Sequence, residues 1–204
     1  MRKKIIFFGS DGFSWIVLEI LKKNDFILDL VVTVQNFADL KGKIAEIKPD
    51  LSIIASFGKI LPKDLIYLPK KGTLVLHPSL LPEFRGPSPV ETALLEGKTI
   101  TGNTVILADE KVDHGPILAQ EEVFIDNKDN YEIMLKKLAE TGGKLLAKTI
   151  PLWFENKIEP KEQDHSRATY TKLFAKEDGR INWSQNSEQI LNQIRALNPW
   201  PSAY

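Results

Sequence analysis

Short apolar runs, each closed by a glycine, a proline or a polar turn, constrain this chain most. Residues 5–8, 28–34, 51–55 and 73–76 are rich in β-branched, leucine and phenylalanine side chains and have the length of buried strands. The stretches between them are different. Trp15, Leu18 and Leu21 recur at helical spacing, with Glu19 and Lys22 on the wet side. Residues 39–48 read as a second helix, ended by Pro49. Strands that alternate with helices predict a mainly parallel sheet covered on both faces.

The pattern changes after Pro89. A short helix is expected over 90–96, then a strand over 103–107. The turn Asp113-His114-Gly115-Pro116 leads to a returning, antiparallel strand over 117–125. Residues 130–155 have the pattern of one long helix. Ile133, Leu138 and Leu145 are its apolar positions, and Asp129 stands near its start. Gly142-Gly143 is expected to weaken its middle and Pro151 to kink its end. From 156 onward the chain is polar and irregular, apart from a helix over 187–197 stopped by Asn198-Pro199-Trp200-Pro201. The expected architecture is α/β: a Rossmann-like, doubly wound, mainly parallel sheet with an antiparallel C-terminal portion. Residues 1–155 form the domain, and 156–204 form a trailing arm or linker.

Composition removes several kinds of function. Lys and Arg total 27 and Asp and Glu total 27, so no whole-protein basic field is available to grip nucleic acid. With no cysteine, disulfides, thiolate metal sites and cysteine nucleophiles are excluded. The opening MRKKIIFFGSDGF is too briefly apolar for a signal peptide, and no later run is long enough to span a bilayer. A cytoplasmic protein, working as a monomer, is the expectation.

Three segments are chemically suggestive. Gly9-Ser10-Asp11-Gly12 follows the first strand and has the look of a phosphate-cradling turn. It has neither a G-x-G-x-x-G pattern nor a Walker lysine, and an ordinary tight strand-to-helix turn is the better explanation. His77-Pro78-Ser79-Leu80-Leu81-Pro82 directly follows a strand. Open α/β sheets bind ligands at the carboxyl ends of their strands, and imidazole suits acid–base work near neutrality. The plain alternative is a histidine that only pins its own loop. The third segment, residues 109–116, is acidic. A carboxylate there favours the charged form of a facing imidazole and holds its tautomer. His114 and His165 lie in polar stretches and read as surface residues, and no spacing resembles a metal site.

The runs HPSLLPEFRGPSP and TGNTVILADEKVDHGPIL resemble the 10-formyltetrahydrofolate-dependent formyltransferase family, as do FFGSDGF and SFGKILPKDLIYLP. The resemblance extends over nearly the whole chain. The C-terminal NPWP resembles, within that family, the members that formylate initiator methionyl-tRNA.

The resemblance implies that His77 stabilises the oxyanion formed as an amine attacks the formyl carbon, and that Asp113 supports its imidazolium. It implies a folate pocket between Phe57, Gly58, Ile60 and Leu61 on one side and Ala108, Asp109 and Val112 on the other. Ser79, Leu80, Leu81 and Pro82 would shape its floor. Ser10, Phe13, Arg85 and Gly86 would meet the substrate, with Arg85 and Lys70-Lys71 as candidates for contacting tRNA phosphates. The formyl donor is 10-formyltetrahydrofolate, and no metal is implied.

Three departures stand out. Val75 occupies the family's asparagine position, two residues before the histidine. Asn103, at the start of a nearby strand, and an ordered water are the two candidates to replace that amide. The segment Val34-Gln35-Asn36-Phe37 has no long basic loop. The usual C-terminal tRNA-binding domain is not expected in a chain of this length. Formylation of a smaller amine, such as an amino sugar on a nucleotide, and weakly active folate binding are the alternative functions.

Overall fold

The structure is a computed structural model describing residues 2–204. Six strands form one sheet: β1 (Ile5–Phe8), β2 (Leu30–Val32), β3 (Leu51–Ala55), β4 (Thr73–His77), β5 (Ile100–Leu107) and β6 (Ile117–Phe124). Their order across the sheet is β2-β1-β3-β4-β5-β6. The first four pair in parallel, and β5 and β6 pair antiparallel to their predecessors. The expected fold class is therefore observed. The second strand is shorter than its apolar run, because Leu28 lies outside the register with β1.

The helices are α1 (Gly12–Lys23), α2 (Phe37–Ile47), α3 (Lys63–Ile66), α4 (Pro89–Leu95), α5 (Tyr131–Phe154) and α6 (Ser187–Leu197). Side chains alternate across a strand, so each strand feeds two cores. Ile5, Phe7, Ile53, Leu74 and Leu76 pack toward α1 and α5. Ile6, Phe8 and Val32 pack with Ile44 of α2 and Leu65 and Ile66 of α3.

Two expected helix faces are rotated. On α1 the buried stripe is Phe13, Val17, Leu18 and Leu21, and Trp15 is 44% exposed. Phe13, expected at the substrate, is consumed by this core. On α5 the stripe is Met134, Leu138, Leu145, Leu146 and Ile150, and Ile133 is exposed. Nor do Gly142-Gly143 break the helix. They let it lie against the sheet and α1: a Cβ on Gly142 would stand 2.8 Å from Asn103 Oδ1, and one on Gly143 would stand 2.9 Å from Ile20. The helix continues through Pro151 to Phe154. Its N-cap is Asn130, which accepts from the Ile133 N–H, while Asp129 instead pairs with Lys137.

The end of the tail packs on the rest of the chain. Ala196 and Leu197 of α6 belong to the main core, and α6 packs on α4. Among the described residues, no helix is long and apolar enough to cross a membrane.

Candidate active site

Thr73, Val75 and His77 share one face of β4, with Thr104 of β5 opposite His77. The His77 ring is buried, at 5% exposure. Its Nε2 lies 2.8 Å from the Phe84 carbonyl. A carbonyl only accepts, so Nε2 carries a hydrogen and donates it there. Nδ1 is left as the working edge, and it faces Asp113 Oδ2 at 3.5 Å. The same Oδ2 accepts the Gly86 N–H at 2.8 Å. The histidine and aspartate expected to meet therefore do so on one face. Adjacent antiparallel strands β4 and β5 carry them there, and the loop after β5 folds back to deliver Asp113.

That loop, residues 108–116, is held at many points. The Ala108 N–H donates to Thr73 O at 2.8 Å, and the Leu107 N–H to Pro116 O at 2.9 Å. Asp113 has φ +51, a left-handed conformation uncommon for a residue with a side chain. Gly115 passes so close to β5 that a Cβ would stand 1.9 Å from the Leu107 carbonyl. Lys63 of α3 pairs with Glu110 at 2.5 Å, tying this loop to the segment before β4. His114 Nδ1 donates to Asp109 Oδ2 at 2.6 Å, and its ring stacks on His165 with centroids 4.1 Å apart. His165 is exposed, as a surface residue should be, whereas His114 is half-buried in this contact.

The loop after β4 is equally pinned. Ser79 Oγ donates to Glu83 O at 2.6 Å, Thr104 Oγ1 donates to Ser79 O at 2.6 Å, and Gln120 Nε2 donates to Leu81 O at 2.7 Å. Ser79 and Leu81 are therefore buried scaffold, while Leu80 and Pro82 retain surface. Phe57 and Leu61 are likewise buried, Phe57 edge-on to Phe8 and Phe37. Of the expected pocket walls, Gly58, Ile60 (77% exposed) and Val112 (52% exposed) present most surface, and Ala108 and Asp109 present part of theirs. Val75 is half-buried between Ile54 and Ile106, its register partners on β3 and β5.

Several other expectations are corrected by geometry. Asn103 is on the opposite face of the sheet, where Nδ2 donates to Thr141 at 2.8 Å, so it does not replace the missing amide beside His77. Ser10 is spent at the strand exits: Oγ donates to Phe57 O at 3.1 Å and accepts the Val34 N–H at 2.9 Å. Lys70 and Lys71 lie at the other end of β4. Lys70 pairs with Asp50, and Lys71 bonds Asn156 and sits over Trp153.

Arg85 is 2% exposed and is not available to phosphate. Its guanidinium donates to Gln163 Oε1 at 3.2 and 2.6 Å, to His165 Nδ1 at 2.8 Å and to the Tyr170 hydroxyl at 3.4 Å. The tail thus reaches the site. The Phe84 N–H donates to Thr169 Oγ1 at 2.8 Å, and the Thr171 N–H to Arg85 O at 2.8 Å. Gln163, Thr169, Tyr170 and Thr171 carry little signal in the sequence. Their only local signal is Thr169-Tyr170-Thr171, a β-branched and aromatic run within a polar stretch. Among the described residues, no three His, Asp or Glu side chains converge as metal ligands would.

The amino-acid sequence matches a known family. The formyl transferase family model matches residues 33–150, more than half of the chain, and the chain belongs to that family. A model of the formyl transferase C-terminal domain matches residues 174–204, so the tail is not foreign to that domain. Among curated relatives, the methionyl-tRNA formyltransferase of Bacillus velezensis is 46% identical over 162 residues, covering 79% of this chain and 51% of the relative. That of Bacillus subtilis is 43% identical, with coverage of 79% and 51%. The chain thus spans about half the length of these relatives.

Solved structures resemble the fold at lower identity. HypX from Aquifex aeolicus in complex with tetrahydrofolic acid gives a TM-score of 0.82 at 19% identity, covering 98% of this chain and 35% of that one. An N-formyltransferase from Helicobacter canadensis, in complex with folinic acid and dTDP-3-aminofucose, gives 0.78 at 22%, covering 96% and 80%.

Proposed function

We propose that this chain transfers a formyl group from 10-formyltetrahydrofolate to the amino group of methionyl-tRNA. The observation that carries the reading is the placement of His77 Nδ1 opposite Asp113 at 3.5 Å, with Nε2 committed to the Phe84 carbonyl. The donor, as substrate, brings a formyl carbon on N10: the amine nitrogen bonds to that carbon, the C–N10 bond breaks, and N10 takes up a proton as tetrahydrofolate leaves. The apolar surfaces of Ile60 and Val112 and the backbone around Gly58 suit a flat ring with a polar edge.

His77 then has two uses. With Nδ1 protonated, it donates toward the oxygen that gains charge, and Asp113 balances that imidazolium from across the gap. With Nδ1 unprotonated, it accepts the proton that the amine must lose. Burial of the ring strengthens both interactions by excluding water.

Nucleic-acid grip is weak in this reading. The formal charge is zero, and Arg85, Lys70 and Lys71 are all engaged within the protein. The test is formylation of charged initiator tRNA with 10-formyltetrahydrofolate. Turnover on methionyl-tRNA supports the reading, and turnover only on a nucleotide-linked amino sugar replaces it. Val75 favours a second reading, folate binding with little turnover, because its side chain has no donor for the oxyanion. Donor binding without transfer to any amine would establish that alternative.

A further inference from the structure

We infer that Gln163, from the tail, is the positioning residue of the Asp113 loop. The inference rests on the reading of Asp113 as the working partner of His77. The Gln163 side chain is 5% exposed, and all its polar capacity is used between two elements. Its Nε2 donates to the Asp113 carbonyl at 3.0 Å and to the Gly115 carbonyl at 2.7 Å. Its Oε1 accepts Arg85 Nε at 3.2 Å and Nη2 at 2.6 Å.

Arg85 decides which way the amide points. A guanidinium only donates, so the atom facing it must be the oxygen, and the NH₂ must then face the two carbonyls. No carboxylate pairs with Arg85 among the described residues. The buried cation therefore depends on neutral acceptors, with Gln163 the one bound twice. One amide thus joins the loop after β4, which carries the Phe84 carbonyl that orients His77, to the loop that carries Asp113. It holds the carbonyl of Asp113, whose φ of +51 is disfavoured for a residue with a side chain unless its surroundings hold it there. Without the two donated bonds, the tail holds this loop only through the stacking of His165 on His114 and the backbone pair of Lys161 with Ile117. The Asp113 carboxylate then keeps only the Gly86 N–H and the facing His77 ring.

Two variants separate positioning from simple stapling of the tail. Gln163→Met fills similar volume with neither donor nor acceptor. Gln163→Glu keeps an acceptor, now charged, for Arg85 and so keeps the tail anchored, but removes both donated bonds. The expected result for Gln163→Glu is a kcat at least about tenfold lower, and as much as about 10²-fold lower if the carboxylate moves by an ångström, with little change in KM for the formyl donor. Its melting temperature should remain near that of the parent. The second readout is the nitrogen-15 spectrum of His77. Both variants should change the Nδ1 signal in the direction that Asp113→Asn changes it. This readout needs no amine, so it stands even if methionyl-tRNA is not the substrate. Inactivity of the parent toward every amine defeats the functional reading alone. An unchanged His77 signal in Gln163→Glu overturns the positioning role, as does a loss of stability with kcat intact. Should Gln163→Met fail to fold, the Gln163→Glu spectrum still decides.

Discussion

Two loops leave the same edge of the parallel sheet, one after β1 and one after β4, and they have opposite fates. The exit between β1 and β3 is the crevice where open α/β sheets ordinarily bind ligands. Here its polar groups are satisfied by one another. The Ser10 N–H donates to Ser56 O at 3.1 Å, Ser56 Oγ donates to the Asp11 carboxylate, and Asp11 and Ser14 cap α1 reciprocally at 2.9 and 3.0 Å. The glycine-rich turn is a hinge-pin for helix and strands. The exit after β4 is pinned too, but by distant partners from β5, β6 and the tail, and that pinning leaves His77 Nδ1 and Asp113 facing each other. What distinguishes the two is which groups remain after the bonds are made, and glycine content does not report that.

The largest effect that should separate them is catalytic. His77→Ala or Asp113→Asn is expected to lower formyl transfer by at least about 10³-fold, read by formylation of charged tRNA, with circular dichroism unchanged. Rapid transfer by either variant would erase the contrast. Next is Val75→Asn. A single oxyanion donor is typically worth about 10²–10³ in kcat, so restoring an amide on the His77 face should raise kcat at least about tenfold. A fall in kcat would show that other groups already stabilise the oxyanion.

At the first exit the effect should be on stability. Asp11→Ala removes a helix cap and is expected to cost about 1 kcal/mol in denaturant unfolding while leaving kcat within about twofold. A large loss of activity at unchanged stability would mean that this turn touches substrate. Binding of tRNA to the chain should fall only shallowly with salt. Each phosphate contact adds roughly −0.9 to the slope of log K against log salt on duplex, and the basic groups expected to make such contacts, Arg85, Lys70 and Lys71, are engaged within the protein.

The smallest effect is a pH signal from the Asp11 neighbourhood. Burial first, then the charges of Glu91 and Asp11, push the Tyr131 phenol up from its ordinary 10.0 to about 12. The folded state therefore holds this proton more tightly than the unfolded chain. Its contribution to stability is complete below pH 10 and is lost as pH rises through about 12. Ultraviolet titration of tyrosinate should show one late component. Asp11→Asn should advance it, and no change would place Asp11 farther from Tyr131 than this geometry allows.

Short-range patterns were legible wherever one physical cause dominates. The run IIFF became β1 because four apolar residues bounded by a turn have only a sheet interior to enter, and the Asn130 region became a helix start for a similarly local reason. Patterns failed where two surfaces compete for one side chain. Trp15 and Ile133 fit a helical period yet face solvent, because the sheet selects which stripe of each helix it covers. The same limit applied to Asn103. Its place at the start of a nearby strand made it a candidate that spacing alone does not put in the cleft, and the strand's alternation turned it to the other face.

By itself, then, the sequence determined the strand order of events along the chain, the exclusion of cysteine chemistry, and the motif that places His77 at a strand's carboxyl end. Tertiary structure alone decided that Arg85 is buried instead of meeting phosphate, that Phe57 and Leu61 are core instead of surface, and that the tail holds the Asp113 loop. The reason is reach. Strand and helix signals arise from neighbours a few residues apart. The bonds from Gln163 to Asp113 and to Arg85 join residues 50 and 78 positions apart, and no local pattern records which distant acceptor a buried donor will find.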